Sequence, residues 1–220
     1  MSAAQPKTAA DVAVARRGRL WIVAAPSGAG KTSLVRALLE RDSSLRFSIS
    51  YTTRPKRSSE VHGRDYFFVT EAEFLAMVDA DKFLEHARVF DNWYGTGRQH
   101  VDGLLAGGHS VLLEIDWQGA QQVRERAPES RSIFILPPSV AELERRLRGR
   151  QTDTEAVIQR RLRDAVSDMH HWPVFDYVVI NQDFDAALDQ LAEIVAGFGE
   201  NARSDVPAVA AAACRIMLGG

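Results

Sequence analysis

Five short apolar runs, at residues 20–24, 46–50, 110–115, 132–136 and 177–180, recur along the chain. Between them lie longer stretches where apolar residues return every three or four positions. Continuous apolar runs of this length predict parallel strands buried on both faces, and the intervening period predicts helices. The helices carry start signals. Thr70 with Glu73, and Ser139 with Glu142, have the spacing of capping boxes ahead of apolar residues. Phe184, Leu188, Leu191, Ile194, Val195 and Phe198 form one apolar face of a last helix. The alternation predicts an α/β fold, a parallel sheet flanked by helices.

Residues 51–100 break this rhythm. Aromatic and charged residues interleave there, with Gly63 and Gly95 as turns, which predicts a small subdomain inserted into the core. Residues 1–17 and 199–220 are Ala-rich and are expected to be tails. Residues 206–218 could form a short Ala-rich helix, but the sequence names no surface for it. The expected domain therefore spans 18–198, with a core of 18–50 and 101–198 and an insert of 51–100.

The first apolar run leads into Ala25-Pro26-Ser27-Gly28-Ala29-Gly30-Lys31-Thr32 and then into a helical pattern from Ser33. Strand, glycine-rich turn and helix in that order make a phosphate cradle. Backbone N–H groups converge on the anion at the positive end of the helix dipole. Lys31 would reach β- and γ-phosphates, and the Thr32 hydroxyl would bind Mg²⁺. The strict P-loop pattern begins with Gly; Ala25 gives up conformational freedom there.

The insert suggests what receives the phosphate. Arg54 and Arg57 flank a Pro-Lys pair, and two guanidinium forks can grip a phosphate monoester; a solvated basic loop is the alternative. The hydroxyls of Tyr66 and Tyr94 could complete such a site. Glu85 follows Phe83-Leu84 and could accept both N1–H and the exocyclic amine of guanine, or could simply face water from a strand. Glu114 and Asp116 close a buried strand at the edge where ligands of parallel sheets bind. One could serve the Mg²⁺ shell and the other the acceptor. Residues 145–163 hold seven arginines against two acidic residues, the composition of a lid that closes charge over transferring phosphates.

Composition narrows the classes. A formal net charge of −2 over 220 residues argues against a broad electrostatic hold on nucleic acid. No apolar run is long enough to span a membrane, and the first residues lack a signal-peptide core. The lone Cys214 forbids an intrachain disulfide and suits a reducing, cytoplasmic setting.

These motifs, in this order and spacing, resemble guanylate kinase. The P-loop is joined by Ser50-x-Thr52-Thr53-Arg54-Pro55-x-Arg57, Glu60-Val61-x-Gly63-x-Asp65-Tyr66, Phe83-Leu84-Glu85, Tyr94-Gly95-Thr96 and Glu114-Ile115-Asp116-Trp117-Gln118-Gly119. The resemblance runs from about residue 19 to residue 198. It implies a P-loop core, a GMP-binding subdomain and a lid, with transfer from MgATP to GMP or dGMP. By position it gives the GMP phosphate to Arg54, Arg57, Tyr66 and Tyr94, and guanine to Ser50, Glu85 and Thr96. It gives the lid charges to Arg146, Arg150 and Arg161, and a place near adenine to Asn181. Glu114 stands where the family often has Asp. Scaffold modules of similar sequence bind phosphopeptides and have lost ATP use. Lys31, Thr32 and the lid arginines argue for the enzyme.

Overall fold

The computed structural model describes residues 17–89, 91–149 and 154–218. Its centre is strand β1 (Leu20–Ala24), followed by the P-loop turn and helix α1 (Lys31–Arg41). The chain continues through β2 (Leu45–Phe47), β3 (Tyr51–Thr52), β4 (Phe67–Phe68), α2 (Glu71–Asp79), β5 (Phe83–Val89), β6 (Asn92–Gly97) and α3 (Arg98–Ala106). It returns to the core with β7 (Ser110–Glu114), α4 (Trp117–Arg126), β8 (Arg131–Leu136), α5 (Val140–Arg148) and α6 (Glu155–Met169). It ends with β9 (Tyr177–Ile180), α7 (Phe184–Ala196) and α8 (Pro207–Met217).

The core sheet has the order β2-β7-β1-β8-β9, with every pairing parallel. Alternate residues of β1 enter opposite layers, as continuous apolar runs require. Leu20, Ile22 and Ala24 pack on one face and Trp21 and Val23 on the other, all buried. The second run is shorter than expected. Pairing stops at Phe47, and after Ser48 donates its N–H to the Leu112 carbonyl the chain leaves for the insert.

The insert is a separate four-stranded sheet of order β4-β3-β6-β5, closed by α2. Its small core is aromatic. Phe74 of α2 stacks on Phe83 at 4.5 Å and on Trp93 at 5.8 Å. The Thr70–Glu73 capping box forms in full. That at Ser139 forms by half. Its hydroxyl accepts from Glu142 N–H, while the Glu142 carboxylate turns away to Arg145 and Arg146. Two guanidinium partners outcompete one backbone N–H. On α7, Leu191 and Ile194 are buried and Phe184 is exposed; the helix stops at Ala196 with Gly197 as its left-handed cap, so Phe198, expected on this face, lies beyond it and is exposed.

The expected C-terminal tail is a correction. Residues 200–202 form a 3₁₀ turn, Arg203 bridges Tyr177, and α8 folds back onto the core. Ala213 and Ile216 are buried in the same apolar cluster as Leu143, Met169 and Trp172. Alanine favours helix, and Pro207 sits in the first turn where its missing N–H costs nothing. The segment looks like a tail only because alanines carry little hydrophobic signal. Ile216→Ala should therefore destabilise the fold by about 2–4 kcal/mol, since it empties a buried site. Thermal denaturation should show a Tm lower by several degrees; an unchanged Tm would restore the tail.

Candidate active site

The P-loop turn places two glycines in the left-handed region, Gly28 at φ 92° and Gly30 at φ 95°. Ala25 has no positive φ, so the first position of the motif does not need glycine here. Gly30 also has no room for a side chain, because a Cβ would stand 2.4 Å from Asn181 Nδ2. That amide donates to the Ala29 carbonyl at 2.8 Å. Arg146 reaches the same carbonyl with Nη1 at 3.4 Å and the Asn181 carbonyl with Nη2 at 3.0 Å. Leu143 and Leu147 of α5 lie against Gly28. The loop is thus held from β9 and α5 as well as from its own strand.

At the start of α1, Lys31 Nζ donates to the Ile115 carbonyl at 2.8 Å. Burial pulls the Lys31 ammonium below its ordinary pKa, and Glu114, Asp116 and Glu85 oppose that shift. Those three carboxylates therefore share its electrostatic neighbourhood. Thr32 Oγ1 donates to Glu114 Oε1 at 2.5 Å. Asp116 instead caps α4, accepting from Gly119 N–H at 2.7 Å. The two acidic residues at the end of β7 are separated by this: Glu114 attends the P-loop, Asp116 the helix that faces the insert.

On the insert, Arg54 lies over the rings of Tyr66 and Phe68, at 5.5 and 5.8 Å. The Tyr94 hydroxyl also touches its guanidinium, whose pKa is raised mainly by Glu60. Glu60 takes Nη1 and Nη2 of Arg54 at 3.1 and 2.7 Å and the N–H of Arg57 at 2.8 Å. The sequence quotes Glu60 within a motif but gives it no role. Its partners lie across a turn that spacing alone does not reveal.

Glu85 is buried, at 5% exposure. Thr96 Oγ1, on the neighbouring strand, donates to its Oε1 at 2.6 Å. Burial raises the Glu85 carboxyl to about 7, against the pull of the Thr96 hydrogen bond and with a further push from Asp116. The surface-strand alternative for Glu85 is thereby overturned: a solvated carboxylate would not be raised.

A cleft of about 710 Å³ joins the two subdomains, lined by Lys31, Thr32, Ser50, Arg57, Tyr66 and Glu114 among others. A phosphate cradle thus stands on one wall and cationic and phenolic groups on the other. Of the arginine-rich stretch, Arg146 reaches the P-loop, Arg148 joins α5 to α6 through Glu144 and Glu155, and Arg161 lies half-buried on α6. Arg150 lies outside the described residues.

Comparison with known proteins agrees with this geometry. A family model described as guanylate kinase matches residues 17–197. A guanylate kinase of Yersinia pestis bv. Antiqua is 55% identical over 181 residues, 81% of this chain and 87% of its own. One from Escherichia coli O157:H7 is 54% identical over the same shares. The crystal structure of guanylate kinase from Anaplasma phagocytophilum superposes with a TM-score of 0.68 at 34% identity. It covers 84% of this chain and 88% of that one.

The place of Asn181 yields a test. Removing its amide leaves the Ala29 carbonyl with only a long contact to Arg146 and loosens the turn that Gly30 permits. Losing a buried hydrogen bond costs about 1–3 kcal/mol. Asn181→Ala should raise KM for ATP roughly tenfold and leave KM for GMP within about twofold, in steady-state assays varying each substrate. Equal effects on both would mean that Asn181 supports the fold at large and not the loop.

Proposed function

The chain belongs to the guanylate kinase family, and we infer that it transfers the γ-phosphoryl group of ATP to GMP, giving ADP and GDP. The buried pair of Glu85 and Thr96 beside Asp116, within the electrostatic neighbourhood of Lys31, carries the acceptor's identity. Guanine offers two adjacent donors, N1–H and the 2-amine, to a carboxylate. Adenine offers an acceptor at N1 and would leave the carboxylate unpaired and buried. Such mismatches are heavily penalised.

In this reading the insert holds the acceptor. Arg54, Arg57, Tyr66 and Tyr94 grip the GMP phosphate, and Ser50 adds a hydroxyl at the cleft. A terminal oxygen of the GMP phosphate attacks the γ-phosphorus of ATP in line, a P–O bond forms, and the bond from the γ-phosphorus to the β,γ-bridging oxygen breaks as ADP leaves. Little covalent work falls to the protein; placement and charge are what it supplies. Lys31 leaves the Ile115 carbonyl for the β- and γ-phosphates, and Arg146 and Arg161 add charge from the lid segment at 145–163. The Thr32 hydroxyl and Glu114 carboxylate are hard oxygen donors in contact at the P-loop. They fit Mg²⁺, which binds through one or two such groups together with nucleotide phosphates. When bound, Mg²⁺ neutralises charge building on the phosphoryl oxygens. The same base and phosphate contacts accept dGMP. No described helix is long and apolar enough to cross a membrane; we assign the enzyme to the cytoplasm, where its exposed free Cys214 stays reduced.

A coupled ADP-formation assay with GMP, IMP and AMP tests the assignment. GMP should be preferred over AMP by several orders of magnitude. Glu85→Gln should lower kcat/KM for GMP by at least 10–100-fold, because charge-assisted contacts worth roughly 1.5–3 kcal/mol each are lost. Equal loss with GMP and AMP would remove Glu85 from base reading.

The pKa of Glu85 gives a second expectation. Guanine needs the ionised carboxylate, which in the free protein forms only above about pH 7. Hence kcat/KM for GMP should fall as pH drops below 7. In Glu85→Gln only the phosphate's own ionisation near pH 6 should remain. The stability sign is opposite. The unfolded carboxyl ionises near 4.5 and the folded one near 7. Stability from this group therefore falls as pH rises through that window. Ligand-free Glu85→Gln should melt higher than wild type at pH 8. A lower melting temperature there would contradict the burial cost assigned to Glu85.

A further inference from the structure

β5, the strand that carries Glu85, is the edge strand of the insert sheet. Its partner on one side is β6, where Glu85 pairs with Thr96 and His86 with Gly95. On the other side stands no strand among the described residues. An edge strand that slides or frays carries its side chains with it. Here side chains of α4 hold the edge: Arg126 donates to the Phe83 carbonyl, and Gln122 takes both backbone groups of His86, next to Glu85. Gln122 of α4 accepts from His86 N–H with Oε1 at 3.1 Å and donates Nε2–H to the His86 carbonyl at 3.0 Å. The carboxamide makes the two hydrogen bonds that a neighbouring strand would make.

The location matters as much as the pairing. His86 follows Glu85 directly. One turn before Gln122 on the same helical face, Gly119 has its Cα against Glu85. A Cβ there would lie 3.1 Å from Glu85 Oε2 and 3.3 Å from Asp116 Oδ1. Asp116 is the cap of the same helix. The first two turns of α4 thus fix three things together: the Asp116 carboxylate, a bare backbone patch that admits the Glu85 carboxylate, and the strand on which Glu85 rides. The insert and core are separate sheets, so nothing in the pairing of either sheet sets the distance between Glu85 and Asp116. The contacts of α4 with β5 do, and of these the Gln122 bridge lies next to Glu85.

We propose that Gln122 is a positioning residue for guanine recognition, docking the edge of β5 to α4 so that Glu85 meets the base beside Asp116. This rests on the reading of Glu85 as the base reader, and the test keeps the two apart. Gln122→Met preserves length and removes both hydrogen bonds. Gln122→Glu preserves the acceptor for His86 N–H and loses the donor. KM and kcat for GMP, IMP and ATP are measured for both, for Glu85→Gln and for the double variant Glu85→Gln/Gln122→Met. Melting temperatures are recorded alongside. Gln122→Met should raise KM for GMP about tenfold, shrink the preference for GMP over IMP, and leave KM for ATP within twofold. Gln122→Glu should fall between it and wild type. In the Glu85→Gln background the same substitution should cost at most about twofold more, because both changes act on one contact. Full additivity, or equal losses toward GMP and ATP, would overturn the proposal and leave Gln122 as a cover for a strand edge. A Glu85→Gln variant with unaltered base preference would overturn the underlying reading as well. If Gln122→Met proves too unstable to assay, the intermediate variant decides by the same comparison of GMP, IMP and ATP.

Discussion

The carbonyl of Ala29 is the point on which the donor half of this molecule turns. The glycine on either side of it is in the left-handed region, so the loop backbone is bent sharply and gains no support from strand pairing. Its shape must come from elsewhere. Asn181, at the end of β9, and Arg146, on the last turn of α5, both donate to that one carbonyl, and Arg146 also ties to the Asn181 backbone. Neither residue is near the loop in sequence. They arrive there because parallel strands β1, β8 and β9 lie side by side and end at the same edge. The sheet order therefore shapes the phosphate cradle, and the cradle leaves no space for a side chain at Gly30.

The acceptor half follows a different plan. Its sheet is small, its core is aromatic, and its polar residues are paired with one another before any ligand enters. Arg54 is held by Glu60, Thr96 holds Glu85, and Gln122 holds the strand between. Preorganisation of this kind lowers the entropy lost on binding. In the proposed reading it would also set the geometry of two anions that meet across the cleft, one on the GMP ribose and one at the P-loop. The two halves communicate through the end of β7, where Glu114 bonds Thr32 and Asp116 caps the helix that docks the insert. Glu114 ends β7 and Asp116, two positions on, caps α4, so these carboxylates serve different partners.

The catalytic framework was legible because its signals are local or joint. Five apolar runs mark the five core strands, and a strand, glycine turn and helix mark the cradle. The base-reading role proposed for Glu85 comes from the company of Ser50, Thr96 and the arginine pair, since a lone Glu on a strand is ambiguous; its burial became visible only in the fold. What stayed hidden depends on contacts between segments distant in sequence. Gln122 looks like any helix-surface amide until β5 lies beside it, 36 positions away. Asn181 was expected beside adenine from resemblance; its amide is bonded 152 positions away, to the P-loop. The docking of the C-terminal helix on the core, though not the helix itself, escaped for a compositional reason. Its buried face uses Ala213 and Ile216, so one large apolar residue had to carry a signal that periodicity normally spreads over several.

The burial of Glu85 joins stability to selectivity. A carboxyl raised to about 7 is one the fold would hold better protonated, and an amide or apolar side chain in its place would relieve that cost. The cost persists in the ligand-free protein because Thr96 satisfies only one of the two carboxylate oxygens and Asp116 adds repulsion. In the proposed reading of Glu85, guanine would remove it by presenting two donors at once, drawing the carboxylate's pKa down. The energy released on binding the correct base therefore includes relief of a strain the free protein carries. A base that cannot donate twice obtains none of it. The same low-dielectric setting that destabilises the empty site thus widens the gap between right and wrong acceptors. On the same proposal, that gap would be realised only while the distance from Glu85 to Asp116 stays fixed, so that the docking of β5 on α4 would be as much a part of recognition as the carboxylates.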